Sequence, residues 1–514
     1  MPIRKPSTIM NRRPADFMRE RHPAPAARVT LWIAFLATLA TGKISAAAEP
    51  HQYNVSVDYR LSQLWVEARF STPVKSVTAR SRVAGKYLID VRDCFDSREI
   101  RLRNRRMMLP DEGIECLNYT VNLERAAREH RSQRFLASDN IIVSPSLWLW
   151  RPEVTANSEI DIRFQLPEQV RVSVPWRPLG KDAYRLHRSP ESSNASVVFG
   201  NFHEEEIHVA GARLRVSMLN GRKPFDRGAI SNWVRATATD VSLVYGRFPN
   251  PSPQVVVIPV DSTRSSSAVP FGRVIRDGGE TVELLVNVAA PPDAFFSDWT
   301  ATHEFSHLML PYIGGRHRWV AEGFAQYYQN VLLARAGAYD QQHAWQKLHE
   351  GFERGRRSRP EMSPNEAADG RARNGLMKIY WSGAALALIA DVDLRERSDG
   401  RETLDKVLDR FQDCCLPSPR VWSGPELFGK LDSLTDFPIF MQLYRRYANT
   451  AGFPDTRPTF ARLGITVSHD QVRLRKNGEL IHVRDNIIRT DSDAAAWRQS
   501  LAGSQDSQRT ARSH

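Results

Sequence analysis

No stretch of this chain stays apolar for the roughly 20 residues that a membrane-spanning helix needs. The longest such run, "VTLWIAFLATLA" (Val29 to Ala40), has twelve residues, the length of an export-signal core. It follows a basic leader ending at Arg28 and precedes the small-residue stretch "SAAAEP". Residues 1–48 are therefore expected to be a signal peptide cleaved after Ala48, with an uncleaved anchoring segment as the alternative. On this reading the mature chain is exported, periplasmic or secreted, with no stable membrane span after cleavage.

Cysteine is scarce as well: there are four in 514 residues, none with zinc-finger spacing. Export permits disulfides. Cys94 and Cys116 flank a loop in a strand-rich region and are the expected pair, whereas Cys414 and Cys415 are adjacent, so a bond between them would be strained. Blocks of one charge are also missing. The formal charge of +13 falls to +7 without residues 1–48, leaving 63 Lys/Arg against 56 Asp/Glu, and the surplus is scattered in short clusters such as "RGRRSR". No aromatics interleave with these clusters, which argues against a nucleic-acid surface. There is no internal repeat.

What is present falls into two halves, giving an α+β chain. Short alternating runs ("YNVSVDYRL", "LWVEARFS", "KYLIDVRD", "IDIRFQLP", "VRVSVPW") predict a β-sandwich-like domain over residues 49–190. Four further strands, "EEIHVAG", "ARLRVSML", "PQVVVIPV" and "ETVELLVNV", surround a helical stretch from Arg227 to Phe248 and predict a small mixed sheet with one packed helix. Beyond Pro291-Pro292 helical periodicity takes over to about residue 450, so a sheet feeds a helical lobe, and together these make a second domain over 191–455. Residues 456–490 read as a short β-rich segment with Asn477-Gly478 as a hairpin turn, and 491–514 as a disordered tail.

The chemistry concentrates in "ATHEFSHLM", Ala301 to Met309. On a helix His303 and His307 stand at i and i+4 on one face and can share a metal ion, while Glu304 beside them reaches a metal-bound water without being a ligand. A chain of this length carries HExxH by chance roughly once in fifty cases, so a third ligand is the deciding requirement. The metzincin pattern would need glycine and histidine where Leu310 and Ile313 stand. Between His307 and Asp340 the only acidic residue is Glu322, and Pro311 with Gly314-Gly315 supplies the break that folds its helix back on the first. His303, His307 and Glu322 are then a Zn2+ site with an open fourth position. The alternatives are that Glu322 complements a helix dipole, or that His317 is the third ligand, although its basic loop "GGRHRW" suits a solvated side chain better.

HExxH followed by "WVAEGFAQYY" resembles the gluzincin metallopeptidases, and more closely the glycyl aminopeptidase family. "LVYGRFPNPSPQVVVIP" (Leu243 to Pro259) and "YWSGAALALIADVDLRERSDGRETLDKVL" (Tyr380 to Leu408) agree with it, so the resemblance covers about residues 200–450. It implies a thermolysin-like metallopeptidase domain, with His303, His307 and Glu322 on zinc and Glu304 as general base and proton shuttle. It also implies that the Tyr380 hydroxyl donates to the oxyanion, where residues alone would make Tyr380 an ordinary core aromatic. Two features depart from the family: the shorter interval from His307 to Glu322, and the lack of its glycine-rich segment ending in Glu-His. Glu280 or Glu283 would have to anchor a substrate amine, and each reads as an exposed strand residue. The expected function is an exported zinc metallopeptidase acting on a peptide or protein laid along the sheet edge near Thr281 to Val288. The alternative is a non-catalytic envelope binding or assembly protein on the same scaffold.

Overall fold

Alternating apolar residues place one face of each N-terminal strand inside. His51–Val57 and Gln63–Val74 pair antiparallel with Val55 opposite Val66, both buried. They sit in a seven-stranded sheet ordered Arg177–Gly180, Ala183–Leu186, Ile160–Gln165, His51–Val57, Gln63–Val74, Ile114–Asn122, Leu88–Asp93. A three-stranded sheet (Arg171–Ser173, Val197–Gly200, Asn140–Val143) shares its apolar core, filled by Tyr53, Trp148, Trp150, Trp176 and Phe199. Cys94 and Cys116 are disulfide-bonded, with their Cα atoms 5.4 Å apart. Cys414 and Cys415, the adjacent pair, are bonded too. This computed structural model describes residues 49–103, 106–129, 139–152, 159–187, 195–261, 267–370 and 375–501. The expected signal peptide and the last part of the tail, 502–514, lie outside the described residues. No described helix is long and apolar enough to cross a membrane.

The second sheet is mixed and five-stranded, ordered His203–Val209, Ala212–Met218, Gln254–Val260, Glu280–Asn287, Phe271–Arg276. Two of its three inner strands, Gln254–Val260 and Glu280–Asn287, are rich in apolar residues because both faces are covered. Val255, Val257, Val282, Leu284 and Val286 join the core of the helical lobe, while Val256, Ile258 and Leu285 pack on Ile142 and Val198 of the three-stranded sheet. The helix Arg227–Ser242, capped by the Asp226 side chain on the Ala229 N–H, connects two parallel strands over the first face.

One expectation is corrected here. The segment Thr281 to Val288 is not a sheet edge, because the chain reverses at Asp277-Gly278-Gly279 and Phe271–Arg276 pairs along its outer side. "FGRVIR" lacks a clean apolar alternation, so nothing in its pattern announced a strand. The reversal is clamped by the N-terminal strands: the Trp176 indole donates to the Asp277 carbonyl (2.9 Å) and the Arg80 guanidinium pairs with its carboxylate (3.1 Å). Gly279 lies against the Pro175 carbonyl with no room for a side chain.

In the helical lobe, Arg318–Arg335 packs along Leu376–Arg397. The two touch backbone to backbone, since a Cβ on Gly323 would strike Gly383 and one on Gly383 would strike the Trp319 carbonyl. The C-terminal region also differs from expectation. The hairpin Ile465–Ser468 with Gln471–Leu474 turns at His469-Asp470, both at positive φ, and Asn477-Gly478 instead leads into the helix Ile481–Ile487. Leu480, Val483 and Ile487 carry helical spacing and are buried, which overrides the turn signal. Part of the expected disordered tail is ordered: residues 492–501 are helical, Asp491 accepts from the Ala494 N–H, and buried Arg498 pairs with Asp240.

Replacing Gly323 by alanine forces the two long helices apart and should destabilise the fold by about 1–3 kcal/mol. Chemical denaturation of the variant checks this, and an unchanged midpoint would refute the close crossing.

Candidate metal centre

The helix carrying the two histidines is short, Thr300–Ser306, and tightens into a single turn of 3-10 helix, His307–Met309, before Pro311. Both of its ends are tied from outside. At the start, the Asp298 carboxylate accepts from the Thr300 N–H (2.8 Å), the Val269 N–H (3.1 Å) and the Ser267 hydroxyl (2.7 Å). At the end, where carbonyls would be left without partners, buried Arg276 donates to the carbonyls of His307 (2.9 Å) and Leu310 (3.2 Å). Its Nε donates to Glu280 (3.0 Å), which the Asn250 amide also contacts. Glu280 is therefore no exposed strand residue. Neither is Glu283, which is buried and paired with Arg273 at 2.6 Å. Both carboxylates are committed to guanidinium groups, and neither lines the cleft.

Gly314 and Gly315, the latter at φ +60°, turn the chain into the helix Arg318–Arg335. That turn is held by the Trp422 N–H on the Tyr312 carbonyl (2.9 Å), and the helix start by the Trp319 indole on Asn365 (2.8 Å). Glu322 arrives with Oε2 3.4 Å from His303 Nε2 and 3.5 Å from His307 Nε2, and the two imidazoles stand perpendicular with centroids 4.9 Å apart. These separations are long for hydrogen bonds. They match the edges of a tetrahedron around an ion with bonds near 2.0–2.1 Å, which are roughly 3.3–3.4 Å. No other group of three or more metal-ligating side chains with this proximity occurs among the described residues. His317 is not part of the cluster. It is half-buried against Tyr444, and burial and Arg316 lower its pKa.

Glu304 lies next to the cluster, buried, with its side chain against the edge strand at Gly272, where a Cβ would sit 2.5 Å from Glu304 Cγ. Burial pushes its carboxyl up to about 7, helped by the charge of Glu322 and opposed by His303 and Arg276. Burial acts on Glu322 in the same direction, but His307 and His303 outweigh it and hold that carboxyl well below the usual range. Tyr380 reaches the same spot from the third helix, its ring centroid 5.8 Å from that of His303. Burial, with Glu322 and Glu304, raises its pKa far above that of a free phenol, so the hydroxyl stays a donor. Behind the site the two tyrosines of "WVAEGFAQYY" are anchored, Tyr327 on Asp391 (2.8 Å) and Tyr328 on Asp405 (2.8 Å). Arg395 and Arg335 neutralise these two aspartates.

The cluster opens into a cleft of about 1130 Å³ whose walls include Phe271, Arg273, Trp299, Lys347 and Arg354. Sequence reasoning missed Arg276, Gly272 and Trp299. Of these, the glycine inside "PFGRV" carried the one readable signal, a strand position where another backbone or side chain approaches closely.

A mixed sheet with its edge strand beside a short two-histidine helix, met by a glutamate from the next helix, frames the candidate site. The M61 glycyl aminopeptidase family profile matches residues 313–384, the segment that contains both Glu322 and Tyr380. Among solved structures, an aminopeptidase N family protein of Idiomarina loihiensis is similar in fold, with TM-score 0.53 and 14% identity, covering 85% of this chain and 78% of its own. An M1 zinc metallopeptidase of Deinococcus radiodurans aligns at 12% identity and TM-score 0.46, covering 79% of this chain and 95% of its own. No relative is found among curated proteins.

Arg276 supplies a testable constraint. Arg276→Leu leaves buried Glu280 without its counter-charge and removes a donor from the His307 and Leu310 carbonyls, and should cost about 3–5 kcal/mol. Adding Glu280→Leu should recover part of that loss in denaturation experiments. A double variant no better than the single one would show that the pair's charge balance is not what matters.

Proposed function

We propose that the chain is an exported zinc-dependent metallopeptidase that hydrolyses peptide bonds. The observation that carries this reading is the placement of one carboxylate oxygen at equal distance from two imidazole nitrogens, with a second, separately buried carboxylate alongside. His303, His307 and Glu322 would hold the zinc, which when bound supplies Lewis acidity toward a water and the scissile carbonyl. Glu304 is the base. A carboxyl poised near 7 accepts the proton of the attacking water and passes it to the amide nitrogen as the carbon–nitrogen bond breaks. The Tyr380 hydroxyl donates to the carbonyl oxygen as negative charge builds there. The substrate main chain adds to the outer edge of Phe271–Arg276, which pairs with no strand among the described residues and lines the cleft. Export rests on the leader and apolar run of residues 1–48.

Elemental mass spectrometry of the purified chain should find about one zinc per molecule, lost in His303→Ala and in Glu322→Ala. Glu304→Gln should keep the metal and lose roughly a thousandfold in peptide hydrolysis. Tyr380→Phe should keep the metal and lose about a hundredfold. A chain that takes up no zinc on reconstitution would sink the proposal.

A further inference from the structure

The helix Arg318–Arg335 turns one stripe of side chains toward the cleft. Arg318, Ala321, Glu322, Gln326, Gln329 and Asn330 all line it, spaced by three or four residues as one helical face requires. Arg318 heads the stripe, exposed and one turn before Glu322. Its charge also reaches Tyr380: burial, Glu322 and Glu304 raise the pKa of that hydroxyl, and Arg318 opposes them. The guanidinium is thus placed by the helix on the same side as the third ligand and by its field beside the phenol.

The other cations of the lining are engaged. Arg273 pairs with Glu283 and Arg276 with Glu280. Lys347 lies over the Tyr339 ring, and Arg354 lies over Trp381 with Glu350 4.0 Å away. Among the described residues the Arg318 side chain forms no ion pair, hydrogen bond or ring contact, although Glu350 and Asp369 share the cleft with it. Helix stability does not explain an arginine at this position. A cation in the first turn runs against the helix dipole, and no acid in that turn offsets it.

We propose that Arg318 determines specificity by taking a carboxylate of the peptide substrate close to the scissile bond. An Asp or Glu side chain and a free C-terminus present the same two oxygens to the guanidinium fork, so the shared chemistry is the carboxylate. The inference rests on the peptidase reading and deepens it.

The test uses the zinc-reconstituted full chain and two sets of peptides. One set exchanges Glu for Gln at each position flanking the cleaved bond, and the other compares free with amidated C-termini. In at least one set the charged member should be cut about tenfold faster in kcat/KM, the size expected of a charge-assisted hydrogen bond. The set that responds tells a side-chain carboxylate from a terminal one. Arg318→Gln should bring that ratio close to one, and Arg318→Lys should keep part of it, with zinc content and far-ultraviolet circular dichroism unchanged in both. Added salt should shrink the ratio as well. Equal cutting within both sets, or a preference that Arg318→Gln leaves intact, overturns the subsite while the peptidase reading stands. In parallel, binding of the same peptides to Glu304→Gln is measured by titration calorimetry. Tighter binding of the charged member, lost in Glu304→Gln combined with Arg318→Gln, supports the subsite even if wild-type protein cuts nothing, in which case the peptidase reading falls instead. No preference in either cutting or binding overturns the subsite.

Discussion

Gly323 and Gly383 touch backbone to backbone, and that contact sets the separation between the helix bearing Glu322 and the helix bearing Tyr380. A helix pair kept apart by ordinary side chains has axes 8–10 Å from each other. Removing both side chains at the crossing lets residues one and three positions away, Glu322 and Tyr380, converge on His303. The histidines have their spacing from one helix alone, but Glu322 and the Tyr380 phenol do not. Their convergence is a property of the crossing, and the buried aspartate–tyrosine–arginine network further along the same helices holds it fixed.

A second constraint follows from charge. Two carboxylates lie within reach of two imidazoles, yet their environments drive them in opposite directions. Glu322 is held ionised by both histidines, and Glu304, facing the edge strand at Gly272, is pushed toward neutrality. One group is thereby suited to staying charged and the other to exchanging a proton. Arg276 contributes at a distance. It lowers the cost of a charged Glu304 while its hydrogen bonds tie off the end of the histidine helix.

The parts of this site that follow from short-range periodicity were legible in the sequence. HExxH needs only 3.6 residues per turn, and Glu322 was the sole acid available before Asp340. The α+β class and the two cores followed from period-two and helical patterns. What stayed hidden depends on contacts between distant segments. The edge strand was unreadable because Gly272, Arg273 and Arg276 break its alternation, each being used for something other than burial. Glu280 and Glu283 looked exposed because their guanidinium partners lie across a hairpin that was itself unrecognised. The C-terminal hairpin was misplaced because Asn-Gly is a strong local signal, and here the burial of Leu480, Val483 and Ile487 decides the outcome instead. Tyr380 was carried by family likeness alone, since nothing in its own neighbourhood distinguishes it from a core aromatic.

The clamp on the Asp277 reversal changes how the N-terminal strands should be regarded. Arg80 and Trp176 hold the tip of the hairpin whose outer strand borders the cleft, and Ile142 and Val198 cover the inner sheet's second face. In the sequence the two halves look like separable modules. In space the first half is a structural wall of the second, so an ancestor could not have acquired this catalytic lobe by itself without another way to seal that sheet. Duplication, fusion and exchange of the lobe are constrained to carry its β domain along, and any descendant lacking those strands must present a substitute surface of the same shape.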